Sequence, residues 1–462
     1  MQRVAAALAS LETIMKMEMA LDAAAQHRME EVVSRKIWWR IVPLLFVCYI
    51  VSYLDRVNVG FAKLQMLDDL NLSTAAYAFG ASVFFWGYVI FEVPSNAMLN
   101  RVGARLWIAR IMISWGIVSI SLMFTAELAR LFGVSNETSF YVLRFLLGAC
   151  EAGFFPGVIL YVNQWVPTNK QSKIMAGFLL ALPVSLVIGG PLSGWLMQVT
   201  HGMATYHGWQ WMLLIEGLPA VLLAFVVFFC LTDKVDDAHW LSADEKAYVK
   251  QSLSGELEHK SHKFSVAFRD WRVWVMAGIV FTYNTGFYGL SFWLPTIIKA
   301  TGVSTTLEIG LLSAIPFTCA AICMTLNANH SKRTGERRLH AAIPAIFGGL
   351  GLILSAWFHS NTTLSILFLS VAASGILSVM PVFWTFPGRI LTGAAAAAGI
   401  AMINCLGSLS GISGALISSE MEKLTGDINN GTYVLGCSLF ITAILALSIP
   451  ARTFAAGRNE EA

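Results

Sequence analysis

Five ionisable side chains lie within long apolar stretches of the sequence, at Asp55, Arg56, Glu92, Arg144 and Glu151. A charge inside a membrane span costs about 2.5–3.5 kcal/mol, so such residues are functional candidates. A guanidinium stays charged and binds a carboxylate through two parallel hydrogen bonds, whereas a carboxyl group in a partly dry cavity can carry a proton. We therefore predict that Arg56 or Arg144 binds an anion and that Asp55 and Glu151 carry protons. The alternative, ion pairs that only dock two helices, stays open.

The spacing of these residues suggests where they lie. Arg144 and Glu151 are seven residues apart, two helical turns on nearly the same face, and could line one cavity. At about 1.5 Å per residue, Asp55 lies about 21 Å along its stretch. Arg144 lies roughly 8 Å and Glu151 roughly 18 Å along a stretch that starts from the opposite side. In a core about 30 Å thick, Asp55 and Arg144 are level and Glu151 is close to the midplane.

Weaker candidates follow along the chain. Glu92 lies near the end of its stretch beside a basic loop, and is either a gate contact or a plain interfacial charge. Glu216 reads better as a helix-packing carboxylate than as a functional one. Asn404, at the level of Asp55, offers two donors and an acceptor to a substrate. Further polar or aromatic contacts to a substrate are predicted at Tyr53, Tyr88, Asn284, Tyr288 and Trp384.

The composition fixes the kind of protein that carries these charges. Of 462 residues, 56% are hydrophobic and only 13% charged, against about 25% charged in soluble domains. The formal charge of +3 is too small for a nucleic-acid surface, and the seven cysteines lie in apolar stretches, where they read as small core residues without metal. No phosphate-binding loop, H-E-x-x-H or G-x-S-x-G motif occurs, so we expect no cofactor, no ATP-driven pump and no enzyme.

Twelve apolar stretches long enough to cross a bilayer divide the chain into two sets of six. They lie near 41–62, 75–99, 104–127, 138–165, 173–198, 209–231, 273–298, 306–328, 339–358, 362–386, 390–419 and 431–450. We predict an all-α membrane protein of two six-helix bundles, 41–231 and 273–450, with a charged linker at 232–272 and tails at 1–40 and 451–462. Placing both termini in the cytoplasm puts about 25 of the 31 Lys and Arg residues on that side.

Two motifs recur in both halves. A basic loop around a central glycine follows span two and recurs 232 residues later, after span eight. The segment FFPG in span four recurs as TFPG in span ten, 231 residues later. Repeated halves are how many secondary transporters build a site that opens to alternate faces. We assign gating to Glu92 and to the loop residues Arg101, Gly103, Arg105, Arg333, Gly335 and Arg337.

These residues resemble the major facilitator superfamily from about Arg35 onwards. The segments YLDRVNVGFA, RFLLGACEAGFFPG, GWQWMLLIEGLP and HSKRTGERR are similar to the anion:cation symporter family of bacterial organic-acid permeases. The resemblance implies that the span-one and span-four acids, Asp55 and Glu151, couple transport to protons. The chain departs from the general loop motif at Asn100 and Lys332, which stand where an acid is usual.

The resemblance implies a proton-coupled importer of an organic carboxylate, with tartrate-like hydroxy acids, sugar acids and aromatic acids all left open. We expect a monomer in the bacterial cytoplasmic membrane that binds a small organic acid, protons and the lipid bilayer, and no nucleic acid. A major facilitator transporter of a sugar or a drug is the alternative, disfavoured because two buried arginines suit an anion. A sensor or membrane enzyme is the third class, for which the sequence offers no output domain or catalytic set.

Overall fold

The computed structural model describes residues 2–167, 172–254, 270–387 and 394–450, which form helices joined by short loops and contain no strand. The first half consists of α1 (Gln2–Leu70), α2 (Thr74–Val102), α3 (Ala104–Ser121), α4 (Thr125–Phe132), α5 (Asn136–Glu151), α6 (Phe154–Val162), α7 (Ser172–Leu179), α8 (Ala181–Val199) and α9 (Gly208–Cys230). After α10 (Ala243–Ser254), the second half consists of α11 (Trp271–Ala300), α12 (Thr306–Thr334), α13 (Arg338–Trp357), α14 (Thr362–Phe383), α15 (Ala394–Ser408), α16 (Ser410–Thr425) and α17 (Asn430–Ser448).

Eleven helical segments in the described part of the chain are long and apolar enough to cross a bilayer, which makes this a multi-pass membrane protein. Helix α11 is the twelfth span, 30 residues long and less apolar than the other eleven. Its tyrosines, tryptophans, threonines and Asn284 lower its hydropathy, and Tyr283, Asn284 and Tyr288 among them line a cavity between the halves. The predicted all-α architecture of twelve spans is confirmed.

Helix ends coincide with capping residues, and two spans are broken at their repeated motif. The side chains of Ser73, Ser135 and Asn361 cap α2, α5 and α14 by accepting backbone N–H bonds. Span four is divided into α5 and α6 because Gly153 adopts a positive φ of 87°, immediately before the FFPG segment. Span ten likewise ends at Phe383, just before TFPG. The break in span four places Glu151 on the last helical turn of α5.

The two halves touch at the end where α1 ends and α12 begins, which we call the closed end. There α8 packs against α12 at glycines: a Cβ on Gly310 would lie 2.3 Å from the carbonyl oxygen of Gly190. Small residues allow this close approach. Nearby, the rings of Tyr77 and Trp293 meet edge to face across the halves, 5.6 Å apart. The Lys63 ammonium lies 3.7 Å from the Trp293 ring centroid.

The opposite end of the molecule, which we call the open end, carries the start of the linker. Lys36 of α1 donates to both carboxylate oxygens of Glu245 at 2.7 and 2.9 Å. Hydrogen bonds from Lys36 and Ser242 hold the pKa of Glu245 below its usual range. The ring of Trp240 stacks on Trp165, 5.3 Å between centroids. Residues 255–269 of the predicted linker and the predicted tail at 451–462 lie outside the described residues.

Candidate functional site

A cavity of about 90 Å³ lies between the two halves and is partly open to solvent. Of its 23 lining residues, eleven are aromatic and two are charged. The two charged residues, Arg56 and Glu151, both come from the first half. The predicted contacts Tyr53, Tyr88, Asn284, Tyr288, Trp384 and Asn404 all line this cavity.

Arg56 and Glu151 form a buried ion pair in the cavity wall. Glu151 is 1% exposed and also accepts a hydrogen bond from the Ser52 hydroxyl at 2.8 Å. Ser52 lies one turn before Arg56, so α1 presents two donors to one carboxylate of α5. Glu151 is the last residue of α5, directly before the break at Gly153, and its side chain lines the cavity.

The other groups around the Arg56 guanidinium are aromatic. Its central carbon lies 5.1, 5.3 and 5.5 Å from the ring centroids of Tyr53, Tyr88 and Phe84, within the range of cation–π attraction. Nη1 is 3.5 Å from the hydroxyl of Tyr288, which belongs to the second half. Nε has no hydrogen-bond partner in the described structure. The guanidinium therefore retains one buried donor without a partner.

Asp55 lies next to Arg56 in sequence but faces the interior of the first half. Its carboxylate accepts hydrogen bonds from Trp115 Nε1 at 2.8 Å, Ser119 Oγ at 2.9 Å and Asn58 Nδ2 at 3.5 Å, and it does not line the cavity. The 100° between successive helical residues separates the two neighbours. The sequence reasoning did not identify Trp115, Ser119 or Ser52, because a polar residue inside an apolar span gives no sign of its partner.

Arg144 is fully buried, at 0% exposure, and does not line the cavity. Nε, Nη1 and Nη2 have no hydrogen-bond partner within the described ranges, and the closest aromatic contact is the Phe84 ring at 4.9 Å. Of the pair Arg144 and Glu151, expected to share one cavity, only Glu151 faces it in this conformation. An isolated buried guanidinium is costly, so Arg144 is unpaired here at the expense of stability.

Of the two other buried acids in the spans, Glu92 lies beside the site and Glu216 lies inside the first half. Glu92 accepts a hydrogen bond from Asn404 Nδ2 at 3.1 Å, which joins the two halves beside a largely apolar gap at the open end. The gap and the cavity share Trp384, Asn404, Phe155 and Met380 in their walls, so they adjoin. Glu216 accepts from Ser193 at 2.7 Å inside the first half, as its packing interpretation predicts.

The two glycine-centred loops differ in how they are held. In the first, Gly103 has a φ of 97° and the N–H of Arg105 donates to Asp233 Oδ1 at 2.8 Å. In the second, Gly335 has a φ of 71°. The hydrogen bonds of this second loop stay within it: the Ser331 hydroxyl donates to the carbonyl of Glu336 at 2.7 Å and accepts from Arg337 at 3.2 Å.

Asp233 therefore supplies an acid to the first loop, where the motif itself has Asn100. The sequence reasoning missed Asp233, which belongs to the linker and lies outside the motif. The assignment of gating to Glu92 and to the arginines and glycines of the two loops, Arg101 and Arg333 included, remains a prediction.

Fold, cavity and buried ion pair together define a membrane transporter for small solutes. A family model described as the Major Facilitator Superfamily matches residues 45–415. The chain belongs to this superfamily, and the predicted resemblance is confirmed. It is thus a transporter and not an enzyme.

Relatives and solved structures agree with this assignment. A protein named "putative metabolite transport protein NicT" from Pseudomonas putida is 43% identical over 90% of this chain and 94% of its own. A "putative tartrate transporter" from Agrobacterium vitis is 42% identical over 92% and 93%. A "quinolone resistance transporter" from Acinetobacter baumannii is 39% identical over 92% and 96%. The inward-open xylose transporter XylE from Escherichia coli shares the fold at a TM-score of 0.72 and 14% identity, covering 91% of this chain and 99% of that one.

Proposed function

We propose that the protein imports an organic carboxylate anion by proton symport with alternating access. One observation carries the proposal: Arg56, whose guanidinium lines the central cavity, has a carboxylate of the same cavity, Glu151, as its ionic partner. The names of the tartrate and metabolite relatives support a transported metabolite of this kind.

The ion pair couples proton to substrate by competition. While Glu151 is ionised it occupies Arg56, and a substrate carboxylate has to displace it. Protonation of Glu151 removes that charge, and Arg56 then pairs with the substrate anion through charge-assisted hydrogen bonds. A proton and one carboxylate that bind together add no net charge to the site. A neutral load lowers the cost of carrying the substrate between buried side chains.

Arg144 and Asp55 complete the proposal. Because Arg144 has no partner in this conformation, we propose that it pairs with an acid or with the substrate in the conformation that opens the closed end. Asp55, already hydrogen-bonded to Trp115 and Ser119, is the second proposed coupling group. Because Asp55 does not line the cavity, a coupling role for it requires that α1 move.

The two ends correspond to the two sides of the membrane. The distribution of Lys and Arg favours a cytoplasmic open end and both termini inside, in the inner membrane of a bacterium. The Glu92–Asn404 contact and the Gly103 and Gly335 loops lie toward this side and would form the inner gate. We propose that the two bundles, 41–231 and 273–450, rock about the cavity as a monomer.

A second candidate is export or uptake of a drug, favoured by the relative named for quinolone resistance. Uptake into proteoliposomes of labelled tartrate, galactonate, phthalate and 4-hydroxyphenylacetate, with and without an inward proton gradient, separates the two. Accumulation of an acid that a protonophore abolishes supports proton symport. Transport of a quinolone, with no transport of any of the four acids, would contradict the proposed acid symport.

A further inference from the structure

One face of α1 carries two cations toward the second half. Lys63 lies seven residues after Arg56, two helical turns along the same face, so it is about 10 Å nearer the closed end. Arg56 reaches Tyr288 of α11, and Lys63 reaches Trp293 of the same helix. The two cations therefore face one helix of the other half, Arg56 beside the cavity and Lys63 beyond it.

The Lys63 ammonium is buried between aromatic rings. Lys63 is 5% exposed, and its Nζ lies 3.7 Å from the ring centroid of Trp293 and 5.1 Å from that of Tyr77. Both rings are fully buried. Among the described residues, no acid lies within ion-pairing distance of this ammonium. From farther away, Glu422 of α16 attracts its charge and Lys299 of α11 repels it.

A purely structural role explains this lysine poorly. A lysine near the end of a span ordinarily extends its ammonium to the membrane surface, where water solvates it. Lys63 instead lies at the seam between the halves. A buried ammonium without an ionic partner is unfavourable, and the ring of Trp293 offsets only part of that cost. Because a methionine would fill the same space without a charge, the ammonium is better explained by what it contacts when the closed end opens.

Between the two cations the halves meet at Gly60. Gly60 lies one turn after Arg56 and one turn before Lys63, on the same face of α1. A Cβ on Gly60 would lie 3.0 Å from the carbonyl oxygen of Phe292, and the Tyr77 hydroxyl lies 3.5 Å from the same oxygen. This contact separates Lys63 from the cavity, which Lys63 does not line. If α1 and α11 part here, one uninterrupted helix face connects Lys63 to Arg56.

We propose that Lys63 is the outer docking site for the carboxylate of the substrate, and that Trp293 covers it while this end is closed. The anion pairs with Lys63 when α1 and α11 part, and then moves two turns along α1 to Arg56. An ammonium binds a carboxylate through charge-assisted hydrogen bonds, and a cation at the mouth of a cleft raises the rate at which anions enter. This inference rests on the proposed organic-acid transport and adds the route by which the substrate reaches the cavity.

Uptake into right-side-out membrane vesicles, which present the proposed outer end to the medium, tests this route. The probe is the acid among tartrate, galactonate, phthalate and 4-hydroxyphenylacetate that the unsubstituted protein takes up fastest. Lys63→Met keeps the length of the side chain and removes its charge. We expect kcat/KM to fall about tenfold at low external salt and the difference to shrink at high salt, because salt screens the attraction.

Three comparisons keep this result specific. Lys63→Arg retains a cation and should keep most of the uptake rate. Arg130→Met removes an outer cation whose side chain is 77% exposed, and its kcat/KM should stay within about twofold. The Kd of the purified Lys63→Met protein should also stay within about twofold, because the acid reaches Arg56 from the open end. A Kd that rises as much as kcat/KM falls overturns the docking site.

Trp293→Leu separates docking from sealing. This variant removes the ring that covers Lys63 but keeps the ammonium, so we expect its uptake to retain the salt dependence that Lys63→Met loses. An equal and salt-independent loss of kcat/KM in both variants would make Lys63 a part of the seal alone and overturn the proposal.

The two proposals fail separately. Uptake by Lys63→Met at the unsubstituted rate and with the same salt dependence contradicts the docking site and leaves acid symport intact. Accumulation of no acid by the unsubstituted protein, with transport of a neutral or cationic solute, contradicts the proposed function and the docking site with it.

Discussion

The first and second halves repeat the same architecture but not the same chemistry. The first half places Asp55, Arg56, Arg144 and Glu151 in its interior or on the cavity wall. The second half faces the cavity with amides, hydroxyls and rings, within the described residues. The two halves therefore share one helical frame, while the charged residues described in the cavity wall come from the first half. This difference is the basis for the proposal that the first half couples transport to protons and the second half contacts the body of the substrate.

Removing the acid from the first half should produce the largest effect. Glu151→Gln keeps the acceptor for Ser52 but cannot ionise, so Arg56 is permanently free. We expect gradient-driven accumulation to be lost while counterflow exchange continues, measured with labelled substrate in proteoliposomes. Glu308→Gln, at an exposed capping position of α12, is the control. Equal loss of exchange and accumulation would make Glu151 a structural or binding residue.

The corresponding exchange at Asp55 sharpens this contrast within the first half. Asp55→Asn removes the charge but keeps an acceptor for Trp115 and Ser119. If Asp55 is a coupling group, we expect this variant also to accumulate less labelled substrate in proteoliposomes. If Asp55→Asn accumulates as much substrate as the unsubstituted protein, only Glu151 remains as a proposed coupling group.

The two arginines should differ, because only Arg56 lines the cavity. Arg56→Lys loses the planar fork, and we expect substrate to bind about tenfold or more weakly, the cost of one charge-assisted hydrogen bond. Arg144→Lys should leave the Kd within about threefold and lower the transport rate instead. Matched binding and uptake measurements separate these outcomes. An equal loss of affinity in both variants would place Arg144 in the substrate site.

Much of this arrangement could be predicted from the sequence, but the partners of the buried charges could not. Apolar stretches, the basic loops and the repeated motifs indicated twelve spans in two halves because a bilayer imposes length and hydropathy on each helix. The separation of Asp55 from Arg56 and the isolation of Arg144 depend on how α1, α3 and α5 rotate against each other. Helix rotation is set by packing over the whole interface, which spacing within one helix does not encode.

Loosening the packing between the halves should have an intermediate effect. Gly310→Ala places a Cβ against the Gly190 backbone, so the closed end cannot pack as closely. We expect a cysteine at Thr306 to react several-fold faster with a membrane-impermeant maleimide added outside. Gly278→Ala, whose Cβ meets only the side chain of Leu445, is the control. Unchanged labelling in Gly310→Ala would mean that this contact does not hold the end closed.

The linker contact should have the smallest effect. Lys36→Ala removes the partner of Glu245, and since Lys36 is 43% exposed we expect a loss of about 1 kcal/mol or less. Because the pKa of Glu245 is depressed in the fold, the contribution is present near neutral pH and is lost as the pH falls through the acidic range. The Tm of Lys36→Ala should be lower than that of the unsubstituted protein at neutral pH, and the two Tm values should be equal at acidic pH. A difference that persists or grows in acid would contradict the assignment to this pair.

The central claim is that proton binding in the first half drives an anion through the shared cavity. Uptake of labelled 4-hydroxybenzoate and tartrate into proteoliposomes, with an inward proton gradient and then with a protonophore, tests it most directly. We predict accumulation of an acid above equilibrium that the protonophore abolishes and that Glu151→Gln lacks. Equilibration without accumulation, or accumulation that persists in Glu151→Gln, would contradict the claim.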